Sequence, residues 1–149
     1  MWHVIGVASF LLSLSQDGLA CSCVGPRGKE ALAGAAAGFS GKVKKIELLD
    51  ADEPRAEPRI IVTFEVYRWW KGPLKKSVVL HTIYNKWSCE GYFFKEGEEY
   101  LVFAYRNREQ MAEKFPFAKD TLGVTLCGGT KLLANANEKL RELGAGRRP

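Results

Sequence analysis

Two cysteines beside a predicted cleavage site are the residues of this chain best placed to do chemistry. Cys21-Ser22-Cys23 follows directly on an apolar leader that ends Gly18-Leu19-Ala20. The apolar stretch, residues 4–14, is too short to span a bilayer and precedes a small-x-small site, which is typical of a secretory signal peptide. We therefore predict a signal peptide over residues 1–20 and a secreted, extracellular domain over residues 21–149 that begins at Cys21.

An N-terminus at Cys21 would carry a free α-amino group next to its own carbonyl oxygen. Together these groups can hold a metal ion as a five-membered chelate, and an α-amine with a pKa of about 7.7–8 loses its proton readily when a cation binds. The catalytic zinc of a metalloprotease keeps one position open for water. Cys21 could fill that position and expel the water. The alternative is that the Cys-x-Cys pair only pins the N-terminal strand to the domain.

The chain has four cysteines, an even number in a chain predicted to be exported, which favours two disulfides. Cys21 and Cys23 are badly placed to pair with each other, because in an extended segment their side chains point to opposite sides. Each must then pair with Cys89 or Cys127, and the spacing leaves both arrangements open. Zinc ligation by the thiols is disfavoured, because the paired CxxC spacing of a zinc ribbon is absent.

Length and charge limit the class of protein. A chain of 149 residues, shortened by its leader, fits one domain, and no apolar run after the leader is long enough to cross a membrane. The formal net charge of +5 suits contact with polyanionic surface glycans, although solubility explains it more simply. A lipid anchor at Cys21 is a minor alternative, since lipoprotein sites usually have Leu three residues before the Cys and Gly18 stands there.

Five strands are predicted, over residues 39–48, 60–70, 77–84, 100–105 and 121–126. The first two show alternating apolar residues, the third is rich in Val and Ile, and the fourth is apolar on both faces, which is typical of a central strand. The apolar phase of the first strand shifts between Val43 and Ile46, which indicates a bulge. A short helix is predicted over residues 29–37, and a second one near the C-terminus, with a capping box at Asn135 and Glu138 before a frayed tail. We expect a mainly β, five-stranded Greek-key barrel of the OB-fold type, with flanking short helices and two disulfides.

Catalytic groups are scarce in this sequence. His81 is the one histidine outside the leader, and no metalloprotease, nucleophile-elbow or nucleotide-binding motif appears. We therefore predict a protein that is not an enzyme and needs no cofactor. The run Tyr67-Arg68-Trp69-Trp70-Lys71 resembles a base-stacking surface, but secretion argues against nucleic acid, and we expect these rings to fill the core or cover a barrel end.

Several short stretches, taken in order, resemble a known family. They are Cys21-Ser22-Cys23 after the leader, Phe39-Ser40-Gly41-Lys42-Val43, Phe64-Glu65-Val66 before Trp70-Lys71-Gly72, Cys89 before an aromatic run, Glu96-Gly97 before Tyr100-Leu101-Val102-Phe103, and Cys127-Gly128-Gly129-Thr130 before a helix. Their order and spacing resemble the tissue inhibitors of metalloproteinases and the wider netrin-like domains. The resemblance covers nearly all of residues 21–149.

This resemblance implies disulfides Cys21–Cys89 and Cys23–Cys127, a monomeric barrel, and a zinc metalloprotease as partner. In those inhibitors the first Cys chelates the protease zinc, the next side chain enters the specificity pocket, and the turn before the partner Cys flanks the cleft. Carried over, Cys21 would bind the zinc through its backbone amine and carbonyl, Ser22 would fill the pocket, Cys23 and Val24 would complete the wedge, and Trp87 with Ser88 would form the flanking turn.

The sequence departs from those inhibitors around its first proline. Gly25 separates Val24 from Pro26, whereas the inhibitors usually place Pro one residue earlier. The cysteines of a third bridge and of a C-terminal subdomain are also absent. The chain therefore looks like a short, single-domain relative. A non-inhibitory netrin-like module, which binds a protein or polyanion and uses its disulfides only for structure, stays open as the second interpretation.

Overall fold

Six strands and two short helices make up the part of the chain that the computed structural model describes, residues 23–49, 52, 58–84, 91–106 and 121–149. The strands are β1 (Ala37–Leu48), β2 (Arg59–Lys71), β3 (Ser77–Ile83), β4 (Glu99–Arg106), β5 (Leu122–Gly123) and β6 (Lys131–Leu132). The helices are α1 (Gly28–Gly34) and α2 (Asn137–Leu143), the second preceded by a 3-10 turn at Leu133–Asn135.

The strands close into a five-stranded barrel. Neighbours follow the order β1-β2-β3-β5-β4, and a further pairing of β1 with β4 joins the two ends, while β6 adds to the outer side of β4. All these pairs are antiparallel except β3 with β5, which run parallel at His81 and Gly123. This order confirms the OB-type Greek-key barrel expected from the sequence.

Strand β1 pairs with both β2 and β4, because it is long and bends. Its register with β2 shifts at three places, one of them between Val43 and Lys45, where the apolar pattern of the sequence changes phase. Gly41 permits a close approach at another shift, since a Cβ there would lie 2.5 Å from the Glu65 carbonyl oxygen. The bulge predicted from the sequence is therefore confirmed.

The barrel interior is filled by aromatic and branched side chains. Phe64 is at its centre, in edge-to-face contact with the rings of Phe39, Phe94 and Tyr100. A second, smaller cluster lies outside the barrel wall, between β4, α1 and α2, and includes Ala31, Leu101, Phe103 and Ala136. Residues 100–104 of β4 are buried on both faces because β4 separates the two clusters.

The ends of the predicted elements need four corrections. The first helix, predicted over residues 29–37, spans Gly28–Gly34, and Ala37 already belongs to β1. The fifth strand spans two residues, Leu122–Gly123, and not 121–126. The capping box at Asn135 and Glu138 is wrong, because Asn135 belongs to the 3-10 turn and α2 begins after Ala136 without a side-chain cap. The tail is not frayed, since Arg147 and Trp69 exchange two backbone hydrogen bonds of 2.8 Å.

No helix within the described residues is long and apolar enough to cross a membrane.

Candidate functional site

The chain enters the described structure as a largely exposed arm without regular secondary structure, extended at Arg27. This N-terminal arm, residues 23–27, has no regular secondary structure and ends where α1 begins at Gly28. Val24 is fully exposed, with a relative accessibility of 101%, although its side chain is apolar.

A disulfide fixes this arm to the barrel. Cys23 and Cys127 are bonded, with their Cα atoms 5.2 Å apart and a sequence separation of 104, which confirms one of the two predicted bridges. Both cysteines are exposed. The arm residues 23–25 and the turn residues 127–129 thus lie side by side, and we call this pair of segments the disulfide ridge.

The turn side of the ridge is fixed by side chains of β4 and by its own backbone. The hydroxyl of Tyr105 donates a 2.8 Å hydrogen bond to the carbonyl oxygen of Gly128, and the Gly128 amide donates to Thr125 at 3.2 Å. The buried Thr130 hydroxyl oxygen accepts a hydrogen bond from the Phe103 amide at 3.1 Å. Cys127 therefore lies on a turn that β4 fixes at Gly128 and at Thr130.

Lys139 of α2 reaches the same turn from the other direction. Its Nζ atom donates a 2.8 Å hydrogen bond to the Gly129 carbonyl oxygen and lies 5.7 Å from the centre of the Phe103 ring. Burial lowers the pKa of the Lys139 ammonium below its ordinary value, and the positive charge of Lys131 lowers it further, while Glu142 acts in the opposite sense. This side chain is a half-buried cation and not a solvated one.

Glycine is needed where the turn meets α1 and Lys139. Gly129 has φ +95°, and a Cβ at this position would lie 3.1 Å from the Ala31 Cβ and 3.2 Å from the Lys139 Nζ. The glycines after Cys127 therefore allow the close approach on which the ridge is built. The sequence showed them as part of the motif Cys127-Gly128-Gly129-Thr130, but nothing in the sequence singled out Tyr105 or Lys139.

Some of the predicted site residues lie beyond the reach of the structure. Cys23 and Val24 are on the ridge, whereas Cys21, Ser22, Trp87, Ser88 and the bridge Cys21–Cys89 lie outside the described residues, as does the predicted leader. Their assignments stay predictions.

The aromatic run on β2 serves packing. Trp69 is completely buried in the barrel core, where its indole N–H donates to the Lys75 carbonyl oxygen at 2.8 Å. Trp70 is half-buried against the second cluster, and its indole N–H donates to Gly144 at 3.0 Å. Both rings therefore fill the core or cover its end, as the sequence predicted for this run.

A second exposed surface lies where β1, β2 and β3 meet. Leu49 donates its amide to Arg59 at 2.9 Å, and Tyr84 donates its amide to Pro58 at 3.0 Å, which brings the two chain segments together. The Tyr84 ring stacks on Phe93 at 4.8 Å. Leu49 and Phe93 are 43% and 45% exposed, so this end of the barrel presents apolar groups to solvent.

Among the side chains that the structure describes, no group of three or more His, Cys, Asp or Glu residues is arranged to hold a metal ion. His81 is half-buried on β3, and burial lowers the pKa of its imidazole below 6.5.

In comparisons with known proteins, no family model matches the chain, and no curated protein matches it.

Proposed function

We propose that this chain is a secreted, non-enzymatic inhibitor of zinc metalloendopeptidases, whose mature N-terminal Cys21 chelates the protease zinc with its amine and carbonyl groups. The observation that carries the proposal is the disulfide ridge. An exposed extended arm, two residues after the proposed chelating group, is bonded to a turn that the barrel fixes.

Rigidity is what a chelating N-terminus needs to bind well. A free chain end loses conformational entropy when it binds, and immobilising one flexible side chain alone costs about 0.5–1.5 kcal/mol. The Cys23–Cys127 bridge removes much of that freedom before binding. A second bridge from Cys21 to Cys89, which the resemblance to tissue inhibitors of metalloproteinases implies, would remove more of it.

The exposure of the arm supports the same function. Val24 follows Cys23 with its side chain fully in solvent, so an extended substrate cleft could receive the arm without any rearrangement of the barrel. The exposed disulfide beside it adds a compact apolar edge. In this proposal the zinc contact comes from Cys21, the pocket contact from Ser22, and the remaining contacts from Cys23, Val24 and the turn at Trp87 and Ser88.

The test is inhibition of a panel of zinc metalloproteases by two oxidised, refolded proteins. One begins at Cys21, and the other carries one extra Ala before Cys21, which moves the free amine away from the zinc and converts the Cys21 nitrogen into an amide. We expect the first to inhibit at least one protease and the second to lose at least a hundredfold in affinity. Equal inhibition by both, or by neither, would refute chelation by Cys21.

A protein-binding module without inhibitory activity is the second candidate, and the apolar end of the barrel favours it. Leu48 is 56% exposed there, next to Leu49, and Phe93 is exposed nearby. Exposed apolar groups collected at one end are typical of a protein-binding face. In that case Phe93→Ala and Leu49→Ser would abolish binding of the partner, and an extra Ala before Cys21 would leave binding unchanged. An inhibitor that acts through Cys21 would show the opposite pattern.

A further inference from the structure

A lysine whose ammonium group lies beside both segments of the disulfide ridge is the feature that the proposed function leaves unexplained. Lys139 Nζ donates to the Gly129 carbonyl oxygen at 2.8 Å on the turn side. On the arm side, a Cβ placed at Gly25 would lie 3.9 Å from the same Nζ and 3.8 Å from the Gly129 Cα. The ammonium group therefore lies between the two segments that Cys23 and Cys127 join.

The backbone of Lys139 is as closely engaged as its side chain. A Cβ at Gly28, the first residue of α1, would lie 3.0 Å from the Lys139 carbonyl oxygen and 3.2 Å from its Cα. The arm thus reaches α2 again within three residues of Gly25. Because α2 packs closely against the start of α1 at this point, the backbone of Lys139 has a fixed position. Its ammonium group therefore lies at a fixed place next to the ridge.

A lysine is an unusual residue for this position if only stability is required. Its long side chain loses more conformational freedom when fixed than most others, and partial burial disfavours its charged form. Gly129 is buried, so its carbonyl oxygen needs a partner within the protein, which Lys139 supplies. A cation fixed over the Phe103 ring gives the turn one directional partner.

We propose that Lys139 is the positioning residue of the ridge: it holds the Gly129 turn in place beside Gly25 and thereby fixes the orientation of the arm at Cys23. This inference rests on the proposed function for its biological meaning, since the group being aimed is the Cys21 chelator. The geometric part, one side chain that fixes two segments, can be tested without any protease.

The test compares amide hydrogen exchange in the oxidised protein and in three variants. Lys139→Met keeps the length and apolar stem and removes the donor and the charge. Tyr105→Phe removes the other side-chain donor to the turn, at Gly128, without a contact to the arm. Lys131→Met removes a neighbouring exposed positive charge on β6 and serves as the charge control.

We expect Lys139→Met to speed exchange at least tenfold at the turn amides of residues 128–130. Residues 24–25 are exposed, so their amides carry little protection, and their mobility is measured by backbone order parameters, which should fall below about 0.6 in this variant. Tyr105→Phe should speed exchange on the turn alone, and Lys131→Met should change neither. If Lys139→Met leaves the order parameters of residues 24–25 at the wild-type value, Lys139 does not position the arm. Should that variant fail to fold, Gly25→Leu changes the same place from the arm side, and unchanged exchange at residues 128–130 in it would equally overturn the proposal.

An inhibition assay then tests whether the positioning role of Lys139 matters for function. We expect Lys139→Met to weaken inhibition by about tenfold through faster dissociation of the complex, with Lys131→Met within twofold of the wild type. If the wild-type protein inhibits no protease, the proposed function fails, while the exchange and order-parameter measurements still decide whether Lys139 positions the ridge. If inhibition is strong and unaffected by Lys139→Met, the positioning role fails while the proposed function stands.

Discussion

Strand β4 and the disulfide ridge are neighbours in space, yet they are held by different forces. Residues 100–104 of β4 are buried on both faces and lie between two apolar clusters. The ridge has its cysteines and Val24 in solvent and is held by one covalent bond and a few side-chain hydrogen bonds. Burial decides whether the barrel exists, and a small number of specific bonds decide where the arm points.

This difference indicates a separation of roles. Apolar burial contributes about 25 cal/mol per Å² and has no preferred direction, so it can stabilise a barrel but cannot aim an exposed segment. Disulfides and hydrogen bonds have defined geometry and can. We therefore expect changes in the barrel to alter the free energy of unfolding first, and changes in the ridge to alter binding first.

The largest expected effect is on the barrel side. Phe64→Ala removes a completely buried ring that contacts the rings of Phe39, Phe94 and Tyr100, and should cost about 3–5 kcal/mol of unfolding free energy. Denaturant unfolding followed by circular dichroism measures it. Phe93→Ala is the matched control, because that ring is 45% exposed, and we expect a loss below about 1.5 kcal/mol. Equal losses would contradict the assignment of Phe64 to the core.

The next effect tests whether the ridge affects binding more than folding. Replacing Cys23 and Cys127 together by Ser removes a bridge that joins residues 104 apart, for an expected loss of about 2–4 kcal/mol. The barrel should still form, because its buried clusters are untouched, while protease inhibition should be abolished. The measurement pairs denaturant unfolding with inhibition at a concentration where the variant is folded. A folded variant that inhibits like the wild type would show that the bridge does not aim the arm.

A smaller effect is expected at the junction of the two regions. Thr130→Val removes the hydroxyl that accepts the buried Phe103 amide at 3.1 Å, and should cost about 1–3 kcal/mol because that N–H is left without its partner. Thr130→Ser keeps the oxygen and is the matched control, with a loss expected below that of Val. If Ser and Val destabilise the protein equally, the hydrogen bond contributes nothing and the methyl group carries the effect.

The sequence predicts the barrel better than the ridge, and the reason is physical. Strands β1 and β2 follow alternating apolar residues, and the phase shift after Val43 appears in the structure as a register shift. Such patterns arise because burial acts on every second residue. Strand β4 follows a continuous apolar run because both of its faces are buried. The short β5 leaves no pattern, since two residues carry no period.

Site residues that act by hydrogen bonding leave no period in a sequence. Lys139 reads as one more surface lysine until the structure places its Nζ on the Gly129 carbonyl. Tyr105 reads as the last residue of a strand, although its hydroxyl fixes Gly128. The tail shows the same difficulty, because Arg147 pairs with Trp69 through its backbone, which all residues share. Cys23 and Cys127 could be found because cysteines are few and their pairing is chemically restricted.

The smallest expected effect is the pH dependence of the free energy of unfolding, which separates the barrel from the ridge. Burial lowers the pKa of His81 below 6.5 in the folded barrel, so the unfolded chain binds a proton more readily. As the pH falls from 6.5 toward that lowered pKa, the free energy of unfolding should therefore decrease, and the decrease is complete below it. His81→Gln should flatten this step in denaturant midpoints measured at successive pH values; parallel curves for both proteins would contradict it.

The pH dependence of inhibition should respond to a different group. A Cys21 amine with a pKa of about 7.7–8 must lose its proton to bind zinc, so affinity should weaken with acidity equally in wild type and His81→Gln.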